Sequence, residues 1–166
     1  MNREEIENDL LNGFYNLSVV LTGFTRFELN GTGVGKVYFT TAINIVGHDI
    51  MEELIARFYE ILEISEIEKI DFDDFFRDAL LDDPKLGPVA KNLTKMWYLG
   101  NWEQMPANWR EQYVTSSLDA TKVVSADAYR EGLVWLALDA HPMGAKPMGY
   151  GTWGEKPGFW PETRDE

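Results

Sequence analysis

The sequence of 166 residues contains no cysteine, only two histidines and few basic residues. Without thiols the chain can form neither disulfide bonds nor thiolate zinc sites, and His48 and His141 lie too far apart in sequence to suggest a histidine-rich metal site. Fifteen basic residues against 28 acidic ones leave a net charge of −13. This charge opposes binding to a phosphate backbone, so we expect no nucleic acid partner. Since no run of about 18 apolar residues occurs, we also expect no direct membrane insertion.

The residues that are present are unevenly distributed. Residues 52–83 carry twelve acidic and three basic side chains, a net charge of −9, whereas all six tryptophans lie at or after position 97. We interpret the acidic stretch mainly as a solvated face, with a docking surface for a basic partner as the alternative. The sequence Asp71-Phe72-Asp73-Asp74 lacks the glycine and the distal glutamate of a calcium-binding EF-hand loop.

Helical periodicity is the dominant pattern and predicts an all-α fold. The first apolar stripe steps by three or four residues and ends near Gly23, through Ile6, Leu10, Phe14, Leu17 and Leu21. Further helices are predicted from Asp49, with Glu52 completing a capping box; around 73–81; from Gly87-Pro88 through Trp97; and over 125–140, capped by Ser125.

Two stretches between these helices are ambiguous. Residues 37–46 are rich in β-branched and aromatic side chains and read locally as a strand, although Val34, Tyr38, Ala42 and Ile45 would align on a helix. Residues 31–36 (GTGVGK) resemble a phosphate loop, but Asn30 and Val37 occupy positions that need glycine and serine or threonine. A loop between two helices is the better interpretation.

The C-terminal end has a different composition. Residues 141–161 contain four prolines and five glycines, interleaved with Tyr150, Trp153, Phe159 and Trp160. Proline at this density prevents a regular helix, and the aromatic side chains favour packing on the domain or on a partner. We therefore predict a compact helical domain at 1–140 and an extended Pro/Gly/aromatic arm at 141–166, with Trp153 and Trp160 as anchors.

Several short motifs, in this order, resemble the small subunits of FAD-dependent sugar and sorbitol dehydrogenases. Residues 14–23 (FYNLSVVLTG) are similar to their F-x-x-L-S-x-x-L-T-G opening, and residues 95–100 (KMWYLG) to their A-W-Y-L-G helix end. Tyr129 with residues 133–135 resembles a further helix of that family. The runs 141–144 (HPMG), 149–153 (GYGTW) and 156–160 (KPGFW) resemble its aromatic tail.

The resemblance implies an all-helical, non-catalytic subunit. In that family a large flavoprotein of the glucose-methanol-choline type carries FAD and the chemistry, and a cytochrome subunit often takes the electrons. The small subunit helps the large one to fold and to leave the cytoplasm. We therefore expect no cofactor in this chain, FAD in a partner subunit, and partner contacts through the motif residues Trp97, Tyr98, Trp135, His141, Tyr150, Trp153, Phe159 and Trp160.

The location of the protein in the cell and an alternative function remain open questions. Family members usually begin with a twin-arginine leader, and no leader is visible here, so we expect a cytoplasmic protein as given, or a periplasmic one if it is co-exported with its partner or a leader was removed. The alternative function is a stand-alone helical enzyme acting on a sugar or polyol, with His141 and a carboxylate such as Asp139 as acid and base. A structural role for His141 as a cap of the preceding helix is the simpler interpretation.

Overall fold

The computed structural model describes residues 3–113 and 116–142. Within these ranges the chain is helical apart from connecting loops and one pair of two-residue strands, so the all-α prediction is confirmed. The predicted C-terminal arm, beyond His141 and Pro142, lies outside the described residues. The same is true of four predicted partner contacts: Tyr150, Trp153, Phe159 and Trp160.

The elements follow one another with short connections. The helices are α1 (Arg3–Thr22), α2 (Arg26–Gly31), α3 (Gly35–Val46), α4 (His48–Glu68), α5 (Phe72–Phe76), α6 (Leu86–Leu99), α7 (Ala107–Gln112), α8 (Ala126–Arg130) and α9 (Leu133–Ala137). One turn of π-helix, Arg77–Leu81, continues α5, and we refer to it as the π turn. The strands β1 (Asn101–Trp102) and β2 (Lys122–Val123) pair antiparallel, with Asn101 opposite Val123.

Helix α1 follows its predicted stripe. Leu10, Phe14 and Leu17 are buried, whereas Ile6, the fourth residue of the helix, remains 42% exposed. The helix ends where glycine predicted, because Gly23 takes a left-handed φ of 75° and its amide donates to the carbonyl of Val19 at 2.9 Å.

Helix α6 forms the centre of the fold. It contacts α1, α3, α4, the π turn, α8, α9 and β1, and most of its residues are buried. Pro88 lies in its first turn as predicted. The carboxylate of Asp83 accepts from the amides of Lys85 and Leu86, at 2.8 and 2.7 Å, and so satisfies donors that the first turn leaves unpaired.

Residues 35–46 form a helix, and tertiary contacts explain why. Tyr38, Ala42 and Ile45 are buried on one face of α3, and the ring of Tyr38 meets Trp97 of α6 edge-on at 5.0 Å. The local preference for a strand is overridden because the helical conformation places these three side chains in the core. Residues 32–34 connect α2 to α3, so an inter-helix loop is present, but it is shorter than the predicted 31–36 because Gly31 ends α2 and Gly35 begins α3.

The capping box predicted at Asp49 and Glu52 is wrong. Helix α4 begins one residue earlier, at His48, with Gly47 before it and no side-chain cap. Gly47 ends α3 and precedes α4 directly, which leaves no separate capping residue between the two helices. A capping box does occur in α2, where the sequence analysis predicted none, between Thr25 and Glu28.

The continuous helix predicted over 125–140 is also wrong. Ser125 caps α8 as expected, accepting from the amide of Ala128 at 3.0 Å, but the helix ends at Arg130 and α9 begins at Leu133. Gly132 separates them with an extended ψ of 129°. Leu136 consequently does not share a buried face with Leu133: its side chain is 63% exposed, whereas Leu133 is fully buried.

Candidate partner-binding surface

Trp97 lies in the core and not at the surface. Its side chain is fully buried, stacked on Phe14 at 6.1 Å, and its indole N–H donates to the hydroxyl of Ser18 at 2.9 Å. Ser18 in turn donates to the carbonyl of Phe14 at 2.7 Å, so the polar atoms of this buried pair are satisfied. The expected direct contact of Trp97 with a partner therefore does not fit this position, and Trp97 can act on the surface only by holding α6 in place.

Tyr98 lies at the boundary between core and surface. It is half-buried, its hydroxyl donates to the carbonyl of Thr22 at 2.8 Å, and its ring meets Phe24 edge-on at 6.2 Å. These contacts join the end of α6 to the end of α1. Tyr98 as a whole is only half-buried, so part of its surface meets solvent.

The segment containing α8 and α9 packs closely on the end of α6. Gly100 ends α6 with a left-handed φ of 72°, and a Cβ there would lie 2.4 Å from the carbonyl oxygen of Ala128. A Cβ at Gly132 would lie 2.7 Å from the carbonyl oxygen of Tyr98. Because both approaches involve backbone atoms, the two glycines permit a backbone packing that a larger residue would prevent.

Trp135 of α9 contacts Tyr129 of α8 and so connects the two helices of this segment. Its indole N–H donates to the carbonyl of Tyr129 at 2.9 Å, and the two rings meet edge-on at 5.7 Å. The carbonyl of Trp135 accepts from the amide of Ala140 at 2.8 Å, which turns the chain after α9. Trp135 is half-buried, so one part of its ring supports the segment while another part meets solvent.

Four exposed apolar side chains belong to or adjoin the elements at the end of α6. Leu99 is 43% exposed, Val123 54%, Leu136 63% and Leu138 68%, and all four belong to or adjoin elements that meet at the end of α6. We refer to these four residues as the apolar end surface. Single exposed leucines are ordinary on protein surfaces, whereas contiguous apolar patches mark interaction sites, so we treat these four residues as a candidate surface. None of the four was among the predicted partner contacts, although Gly132, inside the predicted helix 125–140, could have indicated the break that precedes Leu136.

The remaining site prediction, His141, lies immediately beyond this surface. His141 is exposed, and Pro142 after it is buried. Asp139, its predicted acid–base companion, is exposed and has a left-handed φ of 50°. Helix α9 already ends at Ala137, and within residues 3–113 and 116–142 no hydrogen bond joins the side chain of His141 to a helix carbonyl, so the predicted cap is not seen there. No group of three metal-ligating side chains occurs in the same part of the chain.

The acidic stretch 52–83 faces solvent. Of the twelve acidic residues of the stretch 52–83, all but the half-buried Asp83 are exposed, as both a solvated face and a docking surface for a basic partner require. Near the end of α6 the hydroxyl of Tyr38 points towards the carbonyl of Ala128, at 3.4 Å. Burial, and secondarily the negative charge of Glu131, raises the pKa of Tyr38, so this hydroxyl stays protonated and neutral.

The described part of the chain is thus an all-helical domain that exposes apolar side chains beside the start of its C-terminal segment. None of its helices is long and apolar enough to cross a membrane. No protein-family model, curated protein or solved structure matches the chain.

Proposed function

We propose that this chain is a non-catalytic accessory subunit that binds, folds and matures an FAD-dependent sugar or alcohol dehydrogenase of the glucose-methanol-choline type. FAD and the chemistry would belong to the partner, and a cytochrome subunit could receive the electrons. We expect this chain to be in the same compartment as its partner, so export together with the partner would place the complex in the periplasm.

The observation that carries this proposal is the apolar end surface. Leu136 and Leu138 keep about two thirds of their surface in water. They stand on a segment that Gly132 and Trp135 fix against α6, so a partner would meet an ordered surface and lose little entropy in ordering it. The motif resemblance supports the same conclusion, because residues 95–100 and 129–135, two of the resembling stretches, meet at this surface.

The test is co-expression with a flavoprotein of the glucose-methanol-choline type from the same organism, followed by purification through a tag on the flavoprotein. We expect the chain to copurify and the flavoprotein to contain FAD in stoichiometric amount, and we expect FAD content and activity to fall when the chain is omitted. A flavoprotein that folds, loads FAD and works equally well alone would refute the proposal.

A pair of matched variants locates the interface. Leu136→Ser with Leu138→Ser should abolish or strongly weaken copurification. Ile67→Ser with Ile70→Ser, which removes two exposed apolar side chains at and just after the C-terminal end of α4, should leave it unchanged. Equal effects of the two variants would mean that the apolar end surface is not the interface.

The isolated chain provides a second test. We expect it to purify without flavin, so a stoichiometric yellow cofactor would contradict the assignment of FAD to the partner. Turnover of a sugar or polyol by the isolated chain, lost in His141→Ala, would instead support the enzyme hypothesis.

A further inference from the structure

A groove of about 610 Å³ lies where the last turn of α1, the π turn and the middle of α6 meet. Its volume falls within the roughly 300–1,000 Å³ of pockets that hold small molecules. Four of its lining side chains are apolar: Val20, Leu21, Phe76 and Leu81. Three of these are only half-buried, so their apolar surface is open to water in the unliganded groove.

The polar part of the groove is dominated by cations. Arg77 comes from the π turn, and Lys91 and Lys95 stand one turn apart on the same side of α6. Asp73 is the carboxylate that lines the groove with them. A net positive lining is unusual for this chain, whose total charge is −13 and whose neighbouring stretch 52–83 carries −9.

Each of these cations already has an acidic neighbour at the surface. Arg77 pairs with Asp74 at 3.0 Å, Lys91 approaches Asp82 at 3.9 Å, and Lys95 pairs with Glu103. These pairs are exposed, with the acidic side chains 42–74% accessible, and such pairs contribute little to stability. An arriving carboxylate can therefore replace the surface carboxylates at small cost.

We propose that this groove binds a small amphipathic carboxylate, an anion with an apolar chain of medium length. The chain would lie against the apolar side chains of α1 and the π turn. The carboxylate would accept charge-assisted hydrogen bonds from Lys91 and Lys95, with Arg77 at the opposite edge. This site is separate from the apolar end surface and does not depend on the proposed accessory role.

The test is a titration of the isolated, full-length chain with decanoate. Calorimetry and the chemical shifts of the backbone amides in NMR spectra monitor the binding. We expect saturable one-to-one binding of decanoate, with shifts concentrated around Thr94 and Leu81. 1-Decanol, which has the chain without the charge, should bind at least about tenfold more weakly, and acetate, which has the charge without the chain, should not saturate. Equal affinity for decanol, or no saturable binding of decanoate, would overturn the proposal.

Matched variants separate the groove from general charge effects. Lys91→Gln with Lys95→Gln should weaken decanoate binding at least about tenfold and leave decanol binding unchanged. Lys36→Gln with Lys122→Gln removes the same charge outside the groove and should leave decanoate affinity unchanged. If both double variants weaken decanoate equally, the binding reflects net charge and the proposed site is wrong. Circular dichroism checks that each variant is folded.

Discussion

Replacing Trp97 by phenylalanine tests whether this tryptophan belongs to the core. The indole is fully buried between α1 and α3, and its N–H donates to Ser18. Phenylalanine leaves part of that volume empty and removes the hydrogen bond, so we expect the free energy of unfolding to fall by about 2–4 kcal/mol. For a chain of this length the melting temperature should fall by about 5–12 °C. Urea unfolding followed by far-ultraviolet circular dichroism measures this without relying on tryptophan fluorescence.

A double-mutant cycle with Ser18 isolates the hydrogen bond. Ser18→Ala leaves the buried indole N–H without its acceptor and should cost about 1–3 kcal/mol in the wild-type background. In the Trp97→Phe background that N–H is gone, so the same change should cost less, with a coupling of about 1 kcal/mol. Trp135→Phe, at a half-buried position, serves as the control and should cost less than Trp97→Phe. A coupling near zero, or a cost for Trp97→Phe below about 0.5 kcal/mol, would refute the core placement.

Three further predictions concern the packing of α9, its exposed leucines and the cap of α2. Gly132→Ala should destabilise the isolated chain by about 1–3 kcal/mol in urea unfolding, because its Cβ would meet the carbonyl of Tyr98 at 2.7 Å; no loss would contradict that close approach. Leu136→Ser with Leu138→Ser should change the stability of the isolated chain by less than about 1 kcal/mol, since both side chains are mostly exposed, and a large fall in melting temperature would show that they are covered. Hydrogen bonds from Thr25 hold the pKa of Glu28 below its ordinary 4.5, so the stabilisation it gives is present above that value and is lost as the pH falls through the lowered pKa. Glu28→Gln should therefore lower the melting temperature at pH 7 and converge with the wild type in acid, whereas a difference independent of pH would rule out this linkage.

The helical class and several boundaries could be predicted from local sequence. The apolar stripe of α1 depends on the spacing of its apolar residues, and the end of the helix at Gly23 depends on the ability of glycine to adopt a left-handed φ. Both effects act between residues about one helical turn apart. The cap at Ser125 is likewise local, since a side-chain oxygen and an amide three residues later are sufficient. Such features require no knowledge of distant residues, which is why they were predicted correctly.

The candidate surface could not be predicted in the same way. Trp97 and Trp135 look alike in sequence, yet one is fully buried and the other half-exposed, because α1 and α3 cover one side of α6 and the short helix α9 only partly covers its end. The position of Leu136 depended on the break at Gly132, where a Cβ would lie 2.7 Å from the carbonyl oxygen of Tyr98, 34 residues earlier in the chain.

The sequence by itself determined that the chain is helical, acidic over one long stretch and aromatic towards its C-terminal end, because composition and periodicity act through neighbouring residues. The tertiary structure decided that residues 35–46 are a helix, which of the aromatic residues lie in the core, and where apolar side chains remain in water. These outcomes depend on contacts between residues distant in sequence, such as Tyr38 with Trp97 and Gly132 with Tyr98. The burial gained there exceeds the small local preferences that compete with it.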